Sequence, residues 1–295
     1  MIESVPNVSE GRNPGVLDRV AATIRESGTQ VLDVHSDPDH HRSVFTLVGT
    51  PDQVVDGILD MVEVAVASID ITRHRGEHPR IGAVDVVPFV PLDETTIESC
   101  VSAARRTAKA IGRRFSIPVY LYEKAASRPD RRNLANIRRG GTAALSERIG
   151  SNHGRPDFGP CRLHPTAGAT AVGVRPLLVA YNVNLASDDL AAARSIAAAI
   201  RASNGGLAGV KALGVRLHSR GIVQVTMNLT DVTATPVSVA FERVCQEAGR
   251  RGVRVFESEI VGLAPRAALS GATTESLLLT RPLETIVLEN RIPSP

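Results

Sequence analysis

Two periods of apolar residues alternate along the chain, and the switches between them mark out its elements. SVPNVS near the start alternates like a short strand. Asn13 and Pro14 supply a cap and a first helical position, and VLDRVAATIRESG keeps helical spacing up to Gly28. TQVLDVH and RSVFTLVGT read as strands on either side of a turn at 37–41. Thr50-Pro51-Asp52-Gln53 has the form of a capping box and opens a helix through VVDGILDMVEVAVASI. IGAVDVVPFVPL then reads as a buried strand, giving the order β-α-β-β-α-β.

The second half repeats that order. LLVAYNVNL is a strand, Ser187 caps an Ala-rich helix to about residue 203, and the Gly-rich loop NGGLAGV leads to the strands KALGVRL and IVQVTMNL. Thr235-Pro236 opens a helix to Gly249, and VRVFESEIV is the last strand. The expected fold is therefore α/β, an α+β sandwich-like arrangement of two β-α-β-β-α-β subdomains with mixed sheets and a ligand groove between them. The halves fall at 1–176 and 177–295. Residues 93–150 add a helix from about 94 to 114, the strand PVYLY and a short basic helix or loop. DFGPCRLHPTAGATAVGVR, 157–175, is poor helix and poor strand and reads as a linker whose glycines bring backbone amides close to a flat ligand.

Composition narrows the function. A chain of 295 residues with 43% apolar positions supplies enough core for two subdomains. With aromatics at 3% and no Trp, it offers few stacking platforms for nucleic acid, and 34 basic against 31 acidic residues leave a small, dispersed excess of +3. Cys100, Cys161 and Cys245 show no CxxC spacing, which argues against disulfides and structural zinc. The N-terminus lacks signal-peptide features, and no apolar run has the length of a membrane span. A cytoplasmic protein with neither nucleic-acid nor membrane partners is expected.

Candidate chemistry gathers in three stretches. In TRHRGEHPRIGA, His78 precedes Pro79, which extends its backbone, while Arg73, Arg75 and Arg80 surround it with charge suited to carboxylates or phosphate. Asp85 interrupts an apolar strand, so it pairs with a histidine or arginine of the cluster, faces a ligand, or reaches water at a strand end. In DVHSDPDHHR, His35, Asp37, Asp39, His40 and His41 match no tight metal signature. Acid and base groups lining a cleft are a better reading than metal ligands. The third stretch is 157–175 itself, with His164-Pro165.

VPNVSEGR, RSVFTLVG, RHRGEHPRIGAVDVVPFVPL, PVYLYEKAA, DFGP and QVTMNLTD, in this order, resemble the formiminotransferase domain of the glutamate formimidoyltransferase family, over nearly the whole chain. The resemblance implies two α/β subdomains with folate in the groove between them, usually in a homodimer. It implies transfer of a formimino group from N-formimino-L-glutamate to N5 of tetrahydrofolate, a step of histidine degradation and one-carbon metabolism. Tetrahydrofolate would be a co-substrate, and no metal is implied. A cyclodeaminase domain, fused in the vertebrate enzyme, would here be a separate protein.

The same resemblance assigns the catalytic histidine to His78 and folate contacts to Gly159, Pro160, Cys161, Arg162, Leu163, His164, Pro165, Thr166, Ala167 and Gly168. Within that segment CRLHPTA replaces SFVPSW-like residues of the vertebrate proteins, and His35 stands where those proteins carry an aspartate. His78 would protonate the leaving nitrogen, Asp85 or His35 would orient it or accept the N5 proton, and arginines such as Arg80 and Arg42 would hold substrate carboxylates. Formyl transfer from N-formylglutamate, or handling of 5-formyltetrahydrofolate, would suit the same groups. A non-catalytic folate-binding protein is the alternative of another class.

Overall fold

The structure, a computed structural model, describes residues 1–77 and 79–292. The chain divides into two compact units, Met1–Pro176 and Leu177–Pro295. Mixed α/β architecture is found in both, and each contains the β-α-β-β-α-β order.

The first strand of unit one is broken in two, β1 (Ile2–Ser4) and β2 (Asn7–Val8). Pro6 lies between them, has no N–H for a ladder, and offers its carbonyl to Phe45 N at 3.1 Å. Helix α1 (Pro14–Glu26) begins as expected, with Asn13 Oδ1 accepting from Val16 N. Strands β3 (Gln30–Asp37) and β4 (Arg42–Gly49) follow, then α2 (Pro51–Ser68). Its capping box is complete: Thr50 N donates to Gln53 Oε1 at 2.9 Å, and Gln53 N donates to Thr50 Oγ1 at 3.3 Å. Strand β5 (Val84–Pro91), α3 (Ile97–Arg114), β6 (Val119–Glu123), α4 (Leu134–Arg138), α5 (Gly141–Arg148) and β7 (Thr170–Val174) complete the unit.

Both β1 and β2 pair with β4 on one side and β5 on the other, β3 extends the sheet beyond β4, and β5, β7 and β6 run parallel to one another. Strand β7 corrects the linker reading of 157–175. TAVGV inserts between β5 and β6 and is buried throughout. A parallel strand covered on both faces shows no polar alternation, and its flanking glycines and proline hid it. The main core joins α1, α2 and α3 to one face of the sheet, around Ile24, Phe45, Ile58, Met61, Phe89 and Ile111. A smaller cluster, Ile81, Val86, Tyr120, Tyr122, Ile137 and Leu145, brings in α4 and α5.

Unit two has β8 (Val179–Leu185), α6 (Leu190–Ile200), β9 (Val210–Leu217), β10 (Ile222–Leu229), α7 (Val237–Gly249), β11 (Val255–Val261) and the short α8 (Leu283–Ile286). Its sheet runs β11-β8-β10-β9 and is antiparallel in every pairing, where a mixed sheet is expected from the sequence. Because β10 lies between β8 and β9, the crossover through α6 never makes neighbours of parallel strands. Two boundaries also differ. Asp189, not Ser187, caps α6 by accepting from Ala191 N and Ala192 N, and that helix stops at Ile200. Ser187 Oγ instead accepts from Asp189 N, one step further out.

Candidate functional site

Unit one draws all three candidate stretches together, with the histidine–arginine loop bonded to each of the other two. Ala83 N donates to Ala167 O at 2.9 Å, Ala169 N to Ile81 O at 2.9 Å, and Ile71 N to Thr166 O at 2.9 Å. The histidine–arginine loop and the glycine-containing segment, nearly ninety positions apart in the chain, thus share one wall. Gly82 makes this possible, since a Cβ there would sit 1.9 Å from Ala169 O. Ser9 joins the wall too, its Oγ donating to Gly82 O at 2.7 Å.

The 159–168 segment is held at both ends. Ahead of it, Asp157 accepts from Leu121 N at 2.8 Å and from Arg131 Nη1 at 2.7 Å. Gly159, at φ 81°, packs where a Cβ would meet Ile117 O at 2.3 Å. Pro160 follows, Cys161, Arg162 and Pro165 are exposed, and Leu163 packs against the smaller core cluster. At the far end His164 and Gly168 exchange backbone hydrogen bonds of 2.9 and 3.0 Å. Inside that hairpin His164 Nδ1 accepts from Ala167 N at 3.0 Å and Thr166 N at 3.3 Å. Accepting there leaves the ring proton on Nε2, and burial lowers the pKa below the usual histidine value. His164 is therefore a neutral donor with a fixed tautomer.

Asp85 is 2% exposed. Oδ1 accepts from Ile81 N at 2.7 Å and Oδ2 is ion-paired with Arg138 of α4. Arg138 is a partner from outside the histidine cluster, and it adds to the electrostatic pull between Asp85 and Arg80 of the cluster. The partner comes from the basic stretch that the sequence left undefined, 53 positions away. A buried carboxylate demands such a cation, and that demand was the available signal, but it does not say which arginine answers. His35 lies on β3 opposite Val44, and Arg42 opens β4 opposite Asp37, its Nη1 3.4 Å from Asn7 Oδ1.

His78 lies outside the described residues. Around it the loop is densely bonded. Arg80 Nη2 donates to His40 O at 3.0 Å, and Nη1 lies 2.9 Å from His74 Nε2. Burial lowers the Arg80 pKa to about 10, and Asp85 opposes that shift. His74 Nε2 is 2.8 Å from His41 O, and the His41 and His74 rings stack with centroids 3.7 Å apart. Asp37, one of the metal-like residues, instead accepts from His40 N at 2.7 Å to shape the turn. Among the described residues no group of three or more His, Cys, Asp or Glu is placed to hold a metal ion. No helix among them is long and apolar enough to cross a membrane.

Unit one thus sets a loop of histidines and arginines against the hairpin that carries His164, which brings titratable side chains from distant parts of the chain together. The family model of the formiminotransferase domain's N-terminal subdomain matches residues 1–175, and that of the formiminotransferase domain matches 180–286. The chain belongs to the formiminotransferase-domain family. It is 45% identical to a glutamate formimidoyltransferase of Streptococcus pyogenes over 270 residues, covering 91% of this chain and 90% of that protein. It is 44% identical to one of Thermoplasma acidophilum over 295 residues, covering 99% and 97%. Against the formimidoyltransferase-cyclodeaminase of Sus scrofa it is 39% identical over 279 residues, 92% of this chain but 51% of that protein.

Proposed function

We propose that this protein transfers the formimino group of N-formimino-L-glutamate to N5 of tetrahydrofolate, giving 5-formiminotetrahydrofolate and glutamate. The observation that carries this reading is the 44% identity, end to end, with a protein named for that transfer. In the proposed reaction N5 attacks the amidine carbon. His78 protonates the glutamate nitrogen, which then leaves, and the N5 proton passes to a base. Such a proton transfer contributes about 10²–10⁴-fold. Both Asp85 oxygens are engaged, by Ile81 N and Arg138, so Asp85 suits a holding role and His35 suits the base. Residues 159–168 take the folate, with His164 Nε2 as a neutral donor, and Arg80 and Arg42 face the substrate carboxylates. The remaining acceleration comes from holding both substrates together.

The protein acts as a cytoplasmic homodimer in histidine degradation, and its product is the substrate of a cyclodeaminase. The test is a steady-state assay with tetrahydrofolate and formiminoglutamate, with formylglutamate in parallel. Turnover with the formimino donor is expected. Turnover with the formyl donor alone, or folate binding without turnover, would overturn the reading.

A further inference from the structure

We infer that Glu10 and His41 are positioning residues for this reaction, a half-buried carboxylate–imidazole clamp that fixes the histidine loop without touching substrate. The inference rests on the reading of His78 as the acid.

Between the 3-10 turn Ile71–Arg73 and β5, residues 81–83 bond to 167–169. Other described residues of the loop bond to the turn between β3 and β4. Glu77 N donates to Asp39 O at 3.2 Å, Arg80 Nη2 to His40 O at 3.0 Å, and His74 Nε2 lies 2.8 Å from His41 O. In return, His41 Nδ1 donates to Arg75 O at 3.0 Å. Gly76 lets the two segments meet, because a Cβ there would lie 2.5 Å from His40 O and 2.7 Å from His41 Cβ. The loop therefore goes where Asp39, His40 and His41 go.

What fixes that turn from the other side is the 10–13 segment. Arg12 Nε donates to Pro38 O at 2.9 Å, and Glu10 Oε1 lies 3.2 Å from His41 Nε2. Glu10 is itself immobilised. The same oxygen accepts from Arg12 N at 2.7 Å, Gly11 N at 2.9 Å and Asn13 N at 3.0 Å. Burial acts to raise this carboxyl, but those backbone donors and His41 outweigh it and hold it below its ordinary value. His41 thus faces the Arg75 carbonyl with Nδ1 and the Glu10 carboxylate with Nε2, and its ring plane is set by the stack on His74. One side chain ties the first strand's end to the loop that bears the acid. A displacement of about 1 Å in such a loop costs on the order of 10²-fold in rate.

The experiment compares Glu10→Gln, His41→Asn and the double variant with the parent. It reads kcat and KM for both substrates, thermal midpoints, and amide hydrogen exchange over residues 73–80. The expected result is a kcat lowered about tenfold in each single variant, with KM for tetrahydrofolate within about twofold. The double variant falls no further than the worse single one, since the two residues act as one clamp. Exchange at 73–80 speeds up in all three. Parental kcat in both single variants, additive losses, or a raised KM at constant kcat would overturn the inference. If the parent itself shows no transfer with either donor, the proposed function fails. Exchange then decides the clamp alone, and unchanged exchange at 73–80 overturns it.

Discussion

In each unit a basic side chain on the turn between the second and third strands of the β-α-β-β-α-β order meets a glutamate, and the two contacts differ. In unit one, His41 on the β3–β4 turn meets Glu10, each side chain 14% exposed. In unit two, Arg220 on the β9–β10 turn reaches Glu257 of β11, at 43% and 22% exposure, with its guanidinium 5.7 Å from the Phe256 ring. An arginine on a flexible stem in water makes a forgiving contact that any small shift can accommodate. An imidazole with both nitrogens committed and its face stacked has one geometry. The same β-α-β-β-α-β frame thus carries a loose clasp in one half and a rigid one in the other. The rigid clasp lies beside the loop that bears the candidate acid.

The largest stability effect expected is at the buried pair below that loop. Asp85→Ala strands Arg138 and the Ile81 amide, and urea unfolding should show a loss of about 3 kcal/mol. Next comes Gly76→Ala, where the new methyl group meets the His40 carbonyl. A loss of about 2 kcal/mol is expected, with kcat falling more than folate affinity does. A comparable change in the second unit's clasp should do little. Arg220→Ala should cost less than about 1 kcal/mol, and a larger loss would erase the contrast between the two turns.

The smallest effect is a pH slope. The folded-state pKa of His164 lies below its ordinary 6.5, so the unfolded chain binds the proton more readily. Its contribution to stability is complete above pH about 6.5 and is lost as pH falls through the lowered folded value. His164→Asn keeps an acceptor for the hairpin amides but cannot titrate. Its stability should therefore depend less on pH between about 7 and 5 than the parent's. Parallel slopes for the two proteins would show that the hairpin's tautomer has no energetic weight.

Local signals carried most of the fold. The Asn13 cap, the Thr50–Gln53 box and the Pro14 and Pro51 first turns act within one helical turn, so a reader of the sequence sees both partners at once. What stayed hidden depends on distance or on burial from both sides. Strand β7 lost its alternation because both its faces are covered. Arg138 is one arginine among many, and nothing near it points to Asp85. Glu10 looks like a loop acid before a helix, and only the folded chain places it against His41. The histidine loop and the 157–175 stretch were each plain from their residues, yet nothing local placed 166–169 across one wall from 71 and 81–83.

The measurement that bears most directly on this account is single-turnover transfer from formiminoglutamate to tetrahydrofolate by the parent and by His78→Asn, with tetrahydrofolate affinity measured alongside. The expected result is a transfer rate lower by about 10²–10⁴-fold in the variant with its folded state and folate affinity retained. Near-parental transfer by His78→Asn would contradict the acid role on which the site, its loop and the clamp behind it all depend.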